Sequence, residues 1–131
     1  MSERIVKLNL SLIDCLDDNV ISDIEMFGKM SEDPRTLRYT EEDKTTEVEM
    51  IMYDDHFILK REYEGKTEMD FSLNKRGEFT ISDDQTVFSG ETETLDMIQD
   101  NHLIYIHYRL LVNDDLITEQ KLELTIKEAD A

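Results

Sequence analysis

Apolar and polar residues alternate along almost the whole chain, in segments separated by short runs of Asp, Asn, Gly and Ser. In the clearest segment every second residue is apolar, namely Ile104, Ile106, Tyr108, Leu110 and Val112. A repeat of two is the period of a β-strand with one buried face, whereas an α-helix repeats every 3.6 residues or so. The alternation therefore predicts an all-β protein of about eight to ten strands.

Two segments alternate less clearly than the others. Val20 to Met30 also fits a helix, although its Gly28 and the preceding turn, Asp17-Asp18-Asn19, favour a strand. The segment from Thr86 to Ile98 is rich in Thr and Glu, and its Gly90 is typical of a bulge or a sharp bend. We expect both segments to form strands.

The short turns predict how these strands are arranged. Strands joined by only a few residues pair with their sequence neighbours in antiparallel fashion. An open sheet of this length would leave two exposed edges, and closure into a barrel removes them. We therefore expect residues 1–131 to form a single domain, a closed antiparallel up-and-down barrel. A barrel of about eight or more strands can hold one small ligand.

Charge limits the partners that such a barrel could have. Its 32 acidic residues outnumber its 14 basic ones, which gives a formal net charge of -18. This surface repels nucleic acid and anionic membranes, so we expect neither as a partner. A basic protein or a cationic ligand is compatible with it.

The sequence also favours one compartment. The N-terminal residues Met1 to Arg4 lead into no apolar stretch of the kind found in a signal peptide, and no segment is long and apolar enough to span a bilayer. Cys15 is the only cysteine and cannot form an internal disulfide. We therefore expect a reducing, cytoplasmic location.

Three residues are candidates for a binding site. Arg61 is in phase with apolar neighbours on its strand, and Glu41 follows Tyr39 on another apolar face, so all three side chains should point inward. Buried charges need partners. Arg61 and Glu41 could form a structural ion pair that closes one end of the barrel. Alternatively, Arg61 and Tyr39 could anchor a ligand, because the guanidinium of Arg61 suits a carboxylate or a phosphate.

No catalytic or metal-binding motif accompanies these residues. His56, His102 and His107 show no zinc-site spacing with each other or with Cys15, and we expect them at the surface. The four Asp-Asp pairs lack the spacing of a calcium loop and fit turns instead. We therefore expect no metal, no cofactor and no enzymatic activity.

Three stretches of the sequence resemble the YwiB-like family, a group of small uncharacterised β-barrel proteins from Firmicutes. They are Tyr39–Glu42 with the following strand, Ile58–Arg61 with Met69–Phe71, and the hairpin from Leu103 to Glu128. The resemblance implies a calycin-like barrel, similar in architecture to lipocalins, and it implies no known activity.

Three functions are compatible with these observations, of which we expect least an enzyme that uses the inward carboxylate of Glu41 in acid–base chemistry. The first is a cytoplasmic barrel that binds a small, partly apolar ligand at Tyr39, Glu41 and Arg61. The second is an interaction module with a filled barrel, whose acidic surface docks a basic partner. The sequence leaves open whether the protein is a monomer or a homodimer.

Overall fold

A computed structural model describes residues 3–32, 34–41, 43–73 and 75–128 of the chain. These residues form ten strands and no helix, and therefore contain no helix that could span a membrane. The strands are β1 (Arg4–Asp14), β2 (Asn19–Ser31), β3 (Arg35–Thr40), β4 (Glu47–Met52), β5 (Phe57–Tyr63), β6 (Gly65–Phe71), β7 (Gly77–Ser82), β8 (Val87–Gln99), β9 (Leu103–Val112) and β10 (Asp115–Glu128).

The predicted closed barrel is confirmed. Each strand pairs with its sequence neighbours in antiparallel fashion, and β1 pairs with β10 to close the sheet. The segment from Val20 to Met30 is part of β2 and not a helix. The Thr-rich segment is β8, as expected.

The interior of the barrel is packed with apolar side chains. The inward faces of β1, β9 and β10 contribute residues that are almost fully buried, such as Leu8, Ile104 and Leu124. Four methionines with the right phase to face the interior, Met26, Met50, Met52 and Met69, pack into or against this core. They fill the irregular space that flexible side chains suit.

Two neighbouring inward-facing rows cross the strands from β3 to β8, and their members pair from one strand to the next. The middle row consists of Leu37, Met50, Leu59, Met69, Phe79 and Gly90. The mouth row lies two residues nearer the β5–β6 and β7–β8 turns and consists of Tyr39, Val48, Arg61, Thr67, Ile81 and Phe88. Half of the middle row is deeply buried, namely Leu37, Met50 and Phe79, and the other half is partly buried. In the mouth row Tyr39 and Val48 are buried, whereas Arg61, Ile81 and Phe88 are exposed.

Gly90 does not form a bulge. It pairs regularly with Phe79, and the irregularity in the pairing of β8 with β9 lies between Thr94 and Asp96. A Cβ atom on Gly90 would lie 2.3 Å from the carbonyl oxygen of Leu111 and 2.5 Å from Cε2 of Phe79. Glycine is required here because the Phe79 ring packs directly against the backbone.

The acidic turns have a structural role, as the sequence predicted. Asn113 and Asp114 both have positive φ and join β9 to β10 in a two-residue hairpin turn, the geometry that Asn and Asp tolerate. Asp43 and Asp83 each accept backbone hydrogen bonds from the two residues at the end of their turns. The pKa of Asp43 lies below its ordinary value, chiefly because of the side-chain hydrogen bond from Thr46 and then because of these backbone bonds. The backbone bonds from Gln85 and Thr86 likewise lower the pKa of Asp83.

Candidate binding site

The three candidate site residues lie together at the mouth of the barrel. Arg61 donates two hydrogen bonds to Glu41, from Nε to Oε2 at 2.7 Å and from Nη2 to Oε1 at 2.8 Å. Tyr39 belongs to the same inward-facing row as Arg61, with Val48 between them. The predicted ion pair is therefore present, with the two-pronged geometry that arginine and a carboxylate favour.

The expectation that Arg61 is buried in the interior is wrong. Its phase is inward, because it pairs with Val48 and Thr67, but half of its side chain is exposed. Arg61 lies near the end of β5, where the barrel opens toward solvent. Alternation gives the face of a strand and not the depth along the barrel, which explains the difference.

The electrostatics of the group follow from this position. Hydrogen bonding to Glu41 raises the pKa of Arg61, so the guanidinium stays charged. Tyr39 is buried, and its burial raises the pKa of the phenol far above its ordinary value, with a further contribution from Glu41. The mouth therefore holds the Arg61–Glu41 ion pair, with the neutral phenol of Tyr39 in the same row.

A pocket of about 360 Å³ opens beside Arg61 at this mouth. Its apolar wall is formed by Ile81, Phe88 and Tyr63, which remain substantially exposed. Thr67 and Lys66 supply polar groups on the adjoining strand. The pocket thus combines apolar surface with hydroxyl groups, two cationic side chains and the carboxylates of Glu64 and Asp83.

A larger concave surface of about 790 Å³ lies on the outside of the barrel across β1 to β6. Its outward-facing side chains include the exposed apolar residues Ile5 and Phe27. The charged lining residues are nearly balanced, with five basic residues and four glutamates: Lys29, Arg38, Lys60, Arg61, Lys66, Glu47, Glu49, Glu62 and Glu68. This balance selects neither an acidic nor a basic partner.

The structure assembles a second polar cluster that the sequence analysis missed. Sγ of Cys15 lies 4.0 Å from Nε2 of His107, which is 2.8 Å from Oε2 of Glu119. Arg109 donates a hydrogen bond to Oε1 of the same carboxylate and so lowers its pKa, as His107 does to a smaller extent. His107 faces outward as predicted, but only 21% of its side chain is exposed. Cys15 and His107 are 92 residues apart, so no local spacing could reveal them.

Cys15 itself is not an activated nucleophile. Burial and the nearby Glu119 carboxylate both raise the pKa of its thiol. A protonated thiol is a poor nucleophile at neutral pH.

Comparisons with known proteins agree with the architecture. Residues 16–124 match the family described as a domain of unknown function, DUF1934. The ywiB protein from Bacillus subtilis, known from a crystal structure, has the same fold with a TM-score of 0.78 and 15% sequence identity, over 97% of this chain and 93% of that one. No curated protein matches the sequence. Because the family match spans most of the barrel, the chain belongs to the DUF1934 family of small β-barrel proteins.

Proposed function

We propose that this protein is a cytoplasmic, non-catalytic binding protein that holds a small, partly apolar anion in the mouth pocket. One observation carries the proposal: Arg61, Ile81 and Phe88 are exposed on inward-facing positions of one row, with Thr67 between Arg61 and Ile81, and together they line one pocket. Small-molecule sites combine apolar walls with a few placed polar groups, in volumes of about 300–1,000 Å³. The mouth pocket, at about 360 Å³, lies at the small end of that range.

Arg61 suits the role of anchor because Glu41 occupies only part of its guanidinium. Glu41 accepts from Nε and from Nη2, so the remaining N–H donors are available to an incoming carboxylate or phosphate. Glu41 also holds the guanidinium in place, which lowers the ordering cost of binding. The ion pair is thus structural and functional at once.

The hydrogen bonding of the Glu41 carboxylate favours a binding function over a catalytic one. Both oxygens of Glu41 accept hydrogen bonds from Arg61, and a general base needs a free oxygen near its substrate. The cytoplasmic location rests on the single cysteine, which is free and half-buried.

Native mass spectrometry of protein purified from its host tests the proposal for the natural ligand. We expect an adduct of small mass that is lost on denaturation. An unmodified mass under native conditions would favour the second candidate below.

A fluorescent anion tests the site itself without knowledge of the natural ligand. Anilinonaphthalene sulfonate is a small apolar anion whose emission rises in apolar surroundings. We expect it to bind the wild type and to bind R61Q about tenfold or more weakly, because a charged hydrogen bond is lost. R76Q is the matched control: Arg76 is 41% exposed, pairs with Glu91 and Asp114, and does not line the pocket. Equal affinities for wild type and R61Q would refute the role of Arg61.

The second candidate is an interaction module that docks a basic protein, and the net charge of -18 favours it. Such a complex should form at low ionic strength and dissociate as salt screens the charges. Affinity capture at low salt from the host, followed by a salt wash, checks this. Capture of no basic protein would remove this candidate.

A further inference from the structure

The cluster of Cys15, His107 and Glu119 lies on the outer surface of the barrel, where β1, β10 and β9 are adjacent. The backbone N–H of Cys15 donates to the carbonyl oxygen of Glu119 at 2.8 Å, so the chain after β1 continues the pairing with β10. His107 pairs with Lys121 on β10, two residues from Glu119. Closure of the barrel therefore holds together His107 and Glu119, on β9 and β10, and Cys15, in the turn that follows β1.

These side chains offer three different kinds of metal ligand in one place. The thiol sulfur, the imidazole nitrogen and a carboxylate oxygen all lie within 4.8 Å of one another. Thiolate and imidazole ligands suit zinc, and zinc also accepts carboxylate oxygen. The cluster is separate from the mouth pocket, because none of the three residues lines that pocket.

The distances are close to those of a tetrahedral zinc site. Ordinary zinc bond lengths place a sulfur and a nitrogen ligand about 3.6 Å apart, and a nitrogen and an oxygen ligand about 3.4 Å apart. The observed separations are 4.0 Å between Cys15 and His107 and 2.8 Å between His107 and Glu119. The sulfur and a carboxylate oxygen lie within 4.8 Å of each other, against about 3.6 Å in such a site. Movements of about half to one ångström would convert one arrangement into the other.

We propose that Cys15, His107 and Glu119 form a zinc-binding site with three protein ligands and a fourth position open to water. The His107 and Glu119 side chains are 21% and 17% exposed, so an ion has a route from solvent and keeps room for a water ligand. Three protein ligands with one open position is the arrangement of an exchangeable zinc site.

Arg109 positions the carboxylate of this site. Its Nε donates to Oε1 of Glu119 at 2.8 Å, and its Nη1 donates to Glu93 at 3.3 Å. This leaves Oε2, the oxygen that faces His107, as the zinc ligand. Hydrogen bonds from neighbouring groups commonly orient metal ligands in this way.

The proton balance of binding is simple. The thiol proton of Cys15 leaves to solvent as the sulfur binds zinc, and the bond from Nε2 of His107 to zinc replaces its hydrogen bond to Glu119. The neutral imidazole then carries its proton on Nδ1. No oxidant, reductant or other reactant takes part.

Cobalt(II) is the probe for the test, because a thiolate bound to cobalt gives a charge-transfer band that a carboxylate or imidazole does not. We expect the full-length, chelator-treated protein to develop this band with about one equivalent of cobalt, and zinc to abolish it. C15S should lose the band, and H107Q should weaken cobalt binding. H56Q is the matched control, since His56 also pairs with a carboxylate, at 2.7 Å from Asp55, but has no cysteine beside it.

The outcomes distinguish the proposal from an ordinary surface ion pair. A band that is present in H56Q and lost in C15S supports the site. Absence of the band in the wild type, its persistence in C15S, or failure of zinc to displace cobalt would overturn the proposal. Far-ultraviolet circular dichroism verifies that each variant folds, and H107Q gives an independent test should C15S not fold.

Discussion

The middle row and the mouth row lie side by side on the same six strands but differ in their exposure to solvent. Leu37, Met50 and Phe79 in the middle row expose at most 1% of their surface to solvent. One step along the strands, Ile81 and Phe88 keep 43% and 49% of their surface in contact with solvent. The same alternation that builds a core thus also builds a pocket wall wherever the barrel opens.

This difference shows how a packed barrel can still offer a binding site. A side-chain-filled interior stabilises the fold through apolar burial and dispersion contacts. The β7–β8 end of the mouth row contributes less to stability, since Ile81 and Phe88 remain half in water, whereas Tyr39 and Val48 in the same row are buried. Residues there are free to specify a ligand, whereas those of the middle row are constrained by packing.

The largest expected effect comes from opening a cavity in the middle row. We expect L37A to lower the free energy of unfolding by about 2–5 kcal/mol, because Leu37 is fully buried. I81A in the mouth row should cost about 1 kcal/mol, because its side chain is already half-exposed. Urea denaturation of both variants measures the comparison. Similar losses for the two would contradict the assignment of one row to the core and the other to a pocket.

Adding a methyl group at Gly90, the β8 member of the middle row, should have the next largest effect on stability. We expect G90A to destabilise the protein by about 1–3 kcal/mol, because the new methyl group would collide with the backbone of Leu111 and the ring of Phe79. G90A combined with F79L should recover part of the loss, since the smaller side chain leaves room. Denaturation of the single and double variants checks this. Additive losses would show that Phe79 is not the cause.

The turn that follows β3 contains Asp43, whose protonation makes the stability of the protein depend on pH. Hydrogen bonds from Thr46 and Thr45 lower the pKa of Asp43 from 3.8 to about 2. A carboxyl group with a lowered pKa in the folded state stabilises the protein above about pH 4 and loses this contribution as the pH falls toward 2. We therefore expect D43N to be less stable than the wild type at pH 7 and equally stable at pH 2. Thermal unfolding at the two pH values measures this, and a constant difference would contradict it.

The smallest effect on stability should come from the ion pair at the mouth. Arg61 is half-exposed, and an exposed pair contributes less than about 1 kcal/mol. We expect E41Q to change the urea midpoint only slightly and to weaken binding of anilinonaphthalene sulfonate, because Arg61 is no longer held in place. A large loss of stability in E41Q would show that the pair belongs to the core.

The sequence predicted the parts of this fold that depend on local pattern. Alternation identified the strands and the faces of Tyr39, Glu41 and Arg61, because side-chain direction is fixed by a repeat of two. The turns at the Asp-Asp pairs followed from the backbone preferences of Asp. Closure followed from short connections and from the cost of free edges.

The sequence pattern could not predict features that depend on the register between strands distant in the chain. The exposure of Arg61 depends on its position near the open end of the barrel, which alternation along one strand does not encode. The role of Gly90 required knowledge that Phe79 is its partner on β7. The cluster of Cys15, His107 and Glu119 required the closing pair, β1 with β10, and the pair β10 with β9.

The most direct test of this account is where a small apolar anion binds. Methyl-detected NMR can follow the isoleucines during titration with anilinonaphthalene sulfonate, with Ile81 in the mouth pocket, Ile106 in the packed core and Ile5 in the outer concave surface. We predict that the Ile81 signal shifts while those of Ile106 and Ile5 stay in place. A shift of Ile5 or Ile106 without one at Ile81 would contradict the mouth pocket as the binding site.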